Sequence, residues 1–384
     1  MEYIPTIKIL VISHEYPRIG GGGGRVIQDL CEGIASDSYN FYVLTSHWDD
    51  LPEFEETGNL TIERIRSRRT QAYRADLLTM ACFVWKSFWR ALRIIRKWHP
   101  DITHAHFAVP GGASAAVASI LTHTPYMITA HGSDVPGSAP EKTEKWFRFI
   151  LPFTQFIWKK AERIITVSQQ SRQLAQVHYP VKIEVIPNGI DTSRYLHTSI
   201  EVHDPPCIMY IGRFSPEKNA QLVPKILSHL VDLKWKCLIV GDGPQMAHVQ
   251  TLIAENQLDD RIELPGWISP HEVDEALLKC DILLMPSLRE GMPMVGLQGL
   301  ASGLALVMSD VGACPDMVNT EINGFLIEVG NEKGYAHALR ILLSDPNKLR
   351  QFKKNSLQKA AEFNIRKVII SYKNVYQSIL KGKI

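Results

Sequence analysis

With 384 residues, 45% of them hydrophobic and 21% charged, the chain has the makeup of a soluble globular protein and the length of two ordinary domains. A net charge of +2 gives no global electrostatic case for nucleic acid as a partner. Six cysteines (Cys31, Cys82, Cys207, Cys237, Cys280 and Cys314) stand far apart with no Cys-x-x-Cys or Cys/His grouping, which argues against zinc ligands or disulfides and for buried thiols in a reducing compartment.

The opening segment, MEYIPTIKILVIS, has no basic leader or small-residue cleavage pattern, and no uninterrupted apolar stretch of about 18 residues occurs. Both features predict a cytoplasmic protein. IKILVIS, FYVLTS, ITHAHF, YMITAHG, RIITVS and IEVIPNG read as buried strands in the first half; CIMYIGR, KCLIVGDG, RIELPGW, DILLMPS and LALVMSD do so in the second. Short continuous apolar runs separated by helical patterns predict parallel sheets covered on both faces. Helices are expected over 25–34, 81–98, 142–160, 219–230, 245–255, 270–279 and 333–343. This βαβα order, twice over, predicts an α/β fold of two doubly wound Rossmann-like domains. The segment NGIDTSRYLHTSIEVHDPP, between an Asn-Gly turn and a Pro-Pro stop, separates domains at 1–200 and 201–364. A last helical pattern, 365–384, follows the second sheet and is expected to pack back on the first domain.

Charge is unevenly spread. Between Thr61 and Pro100, ten cations (Arg64, Arg66, Arg68, Arg69, Arg74, Lys86, Arg90, Arg93, Arg96 and Lys97) face only Glu63 and Asp76, a local +8. FVWKSFWRALRIIRKW interleaves them with Phe83, Trp85, Phe88, Trp89, Leu92, Ile95 and Trp98, and WFRFILPFTQFIWKK is a second such stretch. A basic, aromatic-rich helix can lie in an anionic membrane interface. Residues 83–98 would then hold the protein peripherally at the inner face of a membrane; alternatively, the aromatics build the first domain's core.

Ligands of open α/β sheets bind at the carboxyl ends of strands, where glycine turns and helix N-termini bring backbone amides close. Five consecutive glycines, Gly20–Gly24, follow the first strand and form a loop able to approach a phosphate or an acceptor. His131 and Asp134 follow the strand YMI, whereas His104 and His106 lie inside a strand and read as structural. In GRFSPEKN, Gly212, Arg213 and Lys218 set a guanidinium and an ammonium near one helix start, a cradle for a diphosphate. Gly241 lies in another strand-end glycine turn, VGDGP. In PSLREGMPMVGLQGLASG, Glu290 occupies a turn between a buried strand and a small-residue helix that carries Gln298.

Taken in order, the Gly-rich loop, HGSD, VSQQSR, IPNGID, GRFSPEKN, VGDGP, LPGW, DILLMPSLREGMP and ASGLALVMSDVG resemble the retaining glycosyltransferases of the GT-B fold, family 4, over nearly the whole chain. The resemblance implies two Rossmann-like domains facing a central cleft and a nucleotide-diphosphate sugar as donor, with a UDP-sugar favoured and GDP-mannose next. It gives Arg213 and Lys218 the donor diphosphate, Glu290 the hydroxyls of the transferred sugar, and the backbone at Gly291, Met292, Pro293 and Met294 the cover over sugar and phosphates. Trp267 would stand near the base, His131 would line the sugar pocket, and Gly22, Gly23 and Gly24 would approach phosphates and acceptor, with Asp134 beside the acceptor. The family's Glu-x7-Glu motif appears here as Glu290 and Gln298. A neutral amide accepts through one carbonyl where an ionised glutamate accepts from both ribose hydroxyls, so a weaker or rearranged ribose contact is expected.

The chemistry implied by the resemblance is retaining transfer of a hexose, with fixed cations at Arg213 and Lys218 taking the leaving-group charge. No cofactor or metal is expected: Asp49 and Asp50 lie in the first half, and Asp259 and Asp260 read as a turn. The resemblance leaves the acceptor open; if residues 83–98 lie on a membrane, a lipid-linked saccharide in surface polysaccharide or glycolipid synthesis is expected. Two alternatives carry weight. One is a GT-B nucleotide-sugar epimerase. The other is a catalytically weak nucleotide-sugar-binding subunit, suggested by Gln298 and by Asp316, where the family has glutamate. An NAD oxidoreductase is disfavoured because no acid follows the glycine loop by about 20 residues at a strand end.

Overall fold

A computed structural model describes residues 6–72, 75–137, 151–195 and 198–382. Contacts divide the chain into two compact units, Met1–Gly189 with Ile365–Ile384, and Ile190–Asn364.

The first unit holds an eight-stranded sheet of β1 (Ile7–Ile12), β2 (Tyr39–Ser46), β3 (Phe54–Thr57), β4 (Leu60–Ile65), β5 (Ile102–His106), β6 (Tyr126–Ala130), β7 (Arg163–Thr166) and β8 (Glu184–Val185), in the order 3-4-2-1-5-6-7-8. Every pairing is parallel except β3 with β4, a hairpin turning at Gly58. Strands β5 and β6 are buried along their whole length, as continuous apolar runs between two helical layers require. Helix Gly112–Thr122 was not visible in the sequence. Its residues GASAAVASILT have no apolar period, yet Ala113, Ala115, Ala116 and Ala118 are buried. The C-terminal helix Ile365–Lys381 buries Val368, Tyr372, Val375, Tyr376 and Ile379 in the first unit's core, one face at helical spacing.

The second unit is a six-stranded parallel sheet of β9 (Cys207–Ile211), β10 (Lys236–Val240), β11 (Ile262–Gly266), β12 (Ile282–Met285), β13 (Ala305–Ser309) and β14 (Gly324–Ile327), in the order 11-10-9-12-13-14. The contact boundary at Gly189/Ile190 lies before the predicted 200/201. Ile190 bridges to Asn364 and Tyr195 bonds Asp274, which draws the linker onto the second unit. The helix expected over 219–230 is shortened to Leu222–Ser228 and is preceded by a separate 3-10 turn, Pro216–Lys218. The break falls where Asn219 adopts a left-handed conformation and donates Nδ2 to Pro286 O at 3.2 Å. Of the helix expected over 142–160, and of the aromatic stretch it shares, residues up to 150 lie outside the described residues, as does Arg74; 151–160 are helical.

Strand order reverses at β1/β5 in the first sheet and at β9/β12 in the second. Such reversals open a crevice at the strands' carboxyl ends. The turns carrying Gly22–Gly24, Arg213, Lys218 and Glu290 follow β1, β9 and β12, while His131 and Asp134 follow β6, Gly241 follows β10 and Trp267 follows β11.

Candidate active site

In the second unit, the turn after β9 carries Gly212, Arg213 and Lys218, and the turn after β12 carries Glu290 and Gly291. Lys218 Nζ donates to both carboxylate oxygens of Glu290, at 2.7 and 2.8 Å, and the Glu290 side chain is 4% exposed. The two turns are also joined by their backbones. Leu288 N donates to Glu217 O at 2.8 Å, alongside the Asn219–Pro286 bond. The cation and the carboxylate are therefore held ready by several bonds that cross the switch point, rather than by flexible side chains alone.

Glycines let neighbouring turns press against this pair. Gly241 has φ +136°, and a Cβ there would lie 1.9 Å from Gly212 O, so the VGDGP turn supports the Arg213 turn by close packing. Gly312 has φ +60°, and its Cβ would fall 2.1 Å from Glu290 O, while Ala313 N donates to Gly291 O at 2.8 Å. Gly312 was missed as a site residue; its signal was the SDVG turn at the next strand end. Met292 and Pro293 are buried and Met294 opens the helix Met294–Ala301, whose Gln298 is half-buried. Trp267, after β11, is 69% exposed.

In the first unit the helix begins at Gly22, three residues before the predicted start, so the amides of Gly22, Gly23 and Gly24 belong to its first turn. Glu15 and Arg69, neither read as a site residue in the sequence, shape this loop. Gly21 N donates to Glu15 Oε2 at 3.3 Å, Arg69 Nη2 to His14 O at 3.0 Å, and Gly20 N to Ala72 O at 2.8 Å. Phe107 joins the loop to the histidines. A Cβ on Gly23 would meet its ring at 2.9 Å, and its centroid is 4.6 Å from that of His131. Asp134 accepts from Ala108 N at 2.6 Å, His131 N at 2.9 Å and Gly132 N at 3.1 Å, so its carboxylate fastens the HGSD turn to the start of the segment after β5.

Four histidines cluster here, His14, His104 and His106 buried and His131 half-buried. His106 Nδ1 and His131 Nε2 are 3.0 Å apart, and His104 bonds Tyr376 at 2.8 Å and Thr129 at 2.9 Å. The structural reading of His104 fits these bonds, which fasten the C-terminal helix. Burial holds His14 and His104 down to about 3 and His131 to about 4, and holds His106 well below the ordinary imidazole value, so all are neutral at pH 7. Burial pushes Asp134 up to about 6, against its backbone hydrogen bonds. A histidine with a lowered folded pKa stabilises above the unfolded value and loses that stability as pH falls toward the folded one. Asp134, with a raised pKa, works in the opposite sense between the usual carboxylate range and pH 6. The histidines outnumber it, so stability is expected to fall by at least ~1.4 kcal/mol per pH unit between pH 6.5 and 5, one net proton's worth. Denaturant melts across that range would test this, and a flat profile would contradict four neutral histidines.

Helix Leu77–Trp98 has two distinct faces. Phe83, Leu92 and Ile95 are buried in the core, while Leu77, Leu78, Trp85 and Trp89 are more than half exposed beside exposed Lys86, Arg93, Arg96 and Lys97. The core alternative thus applies to Phe83, Leu92 and Ile95 and not to the outward-facing Trp85 and Trp89. Among the described residues no helix is long and apolar enough to cross a membrane, and no group of three or more His, Cys, Asp or Glu is placed to hold a metal ion.

Residues 20–194 match the family model described as Glycosyltransferase Family 4, and residues 196–359 match that of Glycosyl transferases group 1. The chain is a glycosyltransferase of the GT-B fold and belongs to this family, the group 1 or family 4 enzymes. It is 24% identical over 373 residues to the uncharacterized glycosyltransferase MJ1178 of Methanocaldococcus jannaschii, covering 97% of this chain and 99% of that one. It is also 24% identical over 318 residues to the UDP-Gal:alpha-D-GlcNAc-diphosphoundecaprenol alpha-1,3-galactosyltransferase of Escherichia coli, covering 78% and 80%. The sucrose-phosphate synthase structure from Thermosynechococcus elongatus superposes with a TM-score of 0.81 at 19% identity, over 98% of this chain and 100% of that one.

Proposed function

We propose that the protein moves a hexose from a UDP-sugar to a hydroxyl of a lipid-linked saccharide, with retention and without a metal ion. The observation that carries this reading is the Lys218–Glu290 pair beside the Arg213 turn at the second sheet's switch point. In the reaction the bond from the anomeric carbon to the diphosphate oxygen breaks and a bond to the acceptor oxygen forms on the same face. The acceptor proton passes to the departing phosphate oxygen. Arg213 and Lys218 meet the charge that builds on the diphosphate, and Glu290 accepts from hydroxyls of the sugar. The backbone of Gly291–Met294 covers the sugar, Trp267 stands by the base and Gln298 by the ribose. Gly22–Gly24 and neutral His131 serve the acceptor side, where Asp134 acts by holding His131 in place. The UDP and diphospholipid named for the E. coli relative favour this donor and acceptor class.

A thermal-shift panel with UDP, GDP and ADP in EDTA tests the donor site. UDP at ~100 times its Kd is expected to stabilise the protein by ~2.7 kcal/mol, and Arg213→Ala is expected to remove the shift. No shift with any diphosphate would refute the reading.

The outward face of helix Leu77–Trp98 supports docking on an anionic membrane surface, with Leu77, Leu78, Trp85 and Trp89 entering the interface and the cations facing lipid phosphates. Binding to vesicles containing phosphatidylglycerol is expected to weaken with salt and with Arg93, Arg96 and Lys97 all changed to Glu. Equal binding to neutral vesicles would sink the electrostatic part.

A further inference from the structure

The second glutamate of the family motif is replaced here by Gln298, and the surroundings of that position account for the exchange. Asp274, on helix Pro270–Leu278, faces it: Gln298 Nε2 donates to Asp274 Oδ1 at 3.2 Å. Tyr195, itself buried, donates its hydroxyl to the same oxygen at 2.5 Å, and Arg194 Nη2 pairs with Oδ2 at 2.6 Å. An ionised carboxylate only accepts, so the amide must turn its nitrogen toward Asp274, and its orientation follows from the network. An amide held by its nitrogen keeps its carbonyl oxygen for another donor. A glutamate at 298 would set a second carboxylate about 3 Å from the first, with the phenol and guanidinium already committed to Asp274, and one of the two would have to take up a proton.

We propose that Asp274 is a positioning residue for the donor. By holding Nε2 it commits Gln298 Oε1 to accept from a ribose hydroxyl of the nucleoside diphosphate, and it is the reason an amide rather than an acid is suited to position 298. The inference rests on the proposed function in one respect, that Gln298 faces the donor ribose.

The test is calorimetric binding of UDP, 2′-deoxy-UDP and 3′-deoxy-UDP to the wild type and to Gln298→Ala, Gln298→Glu, Asp274→Asn and the double variant Asp274→Asn/Gln298→Glu. If GDP is the diphosphate that binds, it and its deoxy forms take the place of the uridine set. The wild type is expected to prefer the ribonucleotide over at least one deoxy form by about tenfold, the worth of one hydrogen bond, and Gln298→Ala to lose that preference. Gln298→Glu is expected to weaken UDP binding by about tenfold at pH 7.5. The double variant, in which the amide introduced at position 274 can donate to the carboxylate introduced at position 298, is expected to recover most of the loss. A residue that merely anchored Arg194 and Tyr195 would not give this reciprocal rescue. Tighter UDP binding by Gln298→Glu, or additive losses in the double variant, would overturn the inference. If Gln298→Ala keeps the ribose preference while Lys218→Ala abolishes binding, the donor site stands and only the inference fails. If no nucleoside diphosphate binds the wild type, both fail.

Discussion

Lys218→Ala is expected to lower kcat/KM for sugar transfer by about 10²- to 10³-fold, a loss of ~2.7–4 kcal/mol of transition-state stabilisation. Charge that develops on a departing diphosphate is best met by a cation already fixed in place, because no reorganisation is then needed at the moment of reaction. Lys218 meets that condition through its two bonds to Glu290 and through the backbone ties between its turn and Pro286–Leu288. Removing the ammonium also leaves the Glu290 carboxylate, 4% exposed, without its partner. That adds a stability cost below the ~3–5 kcal/mol of a fully buried pair, since Lys218 is 25% exposed. The double variant Lys218→Met/Glu290→Gln separates the two effects. Its neutral pair should restore the melting temperature while transfer stays low. Wild-type transfer by the double variant would show the pair to be structural and the diphosphate to be held elsewhere.

A second large effect is expected far from the chemistry. Lys353→Met should destabilise the second unit by about 3–5 kcal/mol, read as a lower denaturant midpoint. Lys353 and Asp281 are 1% and 0% exposed and their charges lie 2.6 Å apart. Asp281 also accepts from Cys207 N at 2.9 Å and lies 3.1 Å from His203 Nδ1, while Lys353 Nζ donates to Glu201 O at 2.7 Å. Methionine would leave a buried carboxylate without its cation, whereas Lys353→Met/Asp281→Leu removes both charges and is expected to return most of the stability. Asp281 precedes β12 and Glu290 follows it, so nucleotide binding per folded molecule should be unchanged in either variant. A Lys353→Met protein as stable as the wild type would show that water or His203 already compensates Asp281.

Much of the frame was legible because parallel strands buried on both faces are continuous apolar runs. IKILVIS, CIMYIGR and DILLMPS could be placed without any contact information, and with them the turns that bear Arg213, Lys218 and Glu290. Elements with a weaker or mixed apolar signal were passed over. Strand β3, FEET, lies at the sheet edge with exposed Glu56, where charge guards against edge pairing and erases the apolar pattern. Helix Pro346–Ala360 buries Leu349, Phe352, Lys353, Ser356 and Ala360, a helical stripe in which two positions are polar. Only the partners Asp281 for Lys353 and Leu304 O for Ser356 make those positions suitable for burial.

By itself, the order of apolar runs and glycine turns determined the α/β architecture and the strand ends at which charged groups must stand, because those features depend on local periodicity and backbone freedom; the family entered as a resemblance carried by the ordered motifs. Tertiary structure alone decided how distant side chains share their bonds. It set Lys218 on Glu290, Asp274 against Gln298, Tyr376 against His104, and Cys207 Sγ 3.0 Å from Cys280 Sγ as free thiols. It also divided helix Leu77–Trp98 into a core face and an exposed one. Pairing of this kind depends on which turns the sheet order brings together, and sheet order is a property of the whole chain's packing that no local stretch of residues carries.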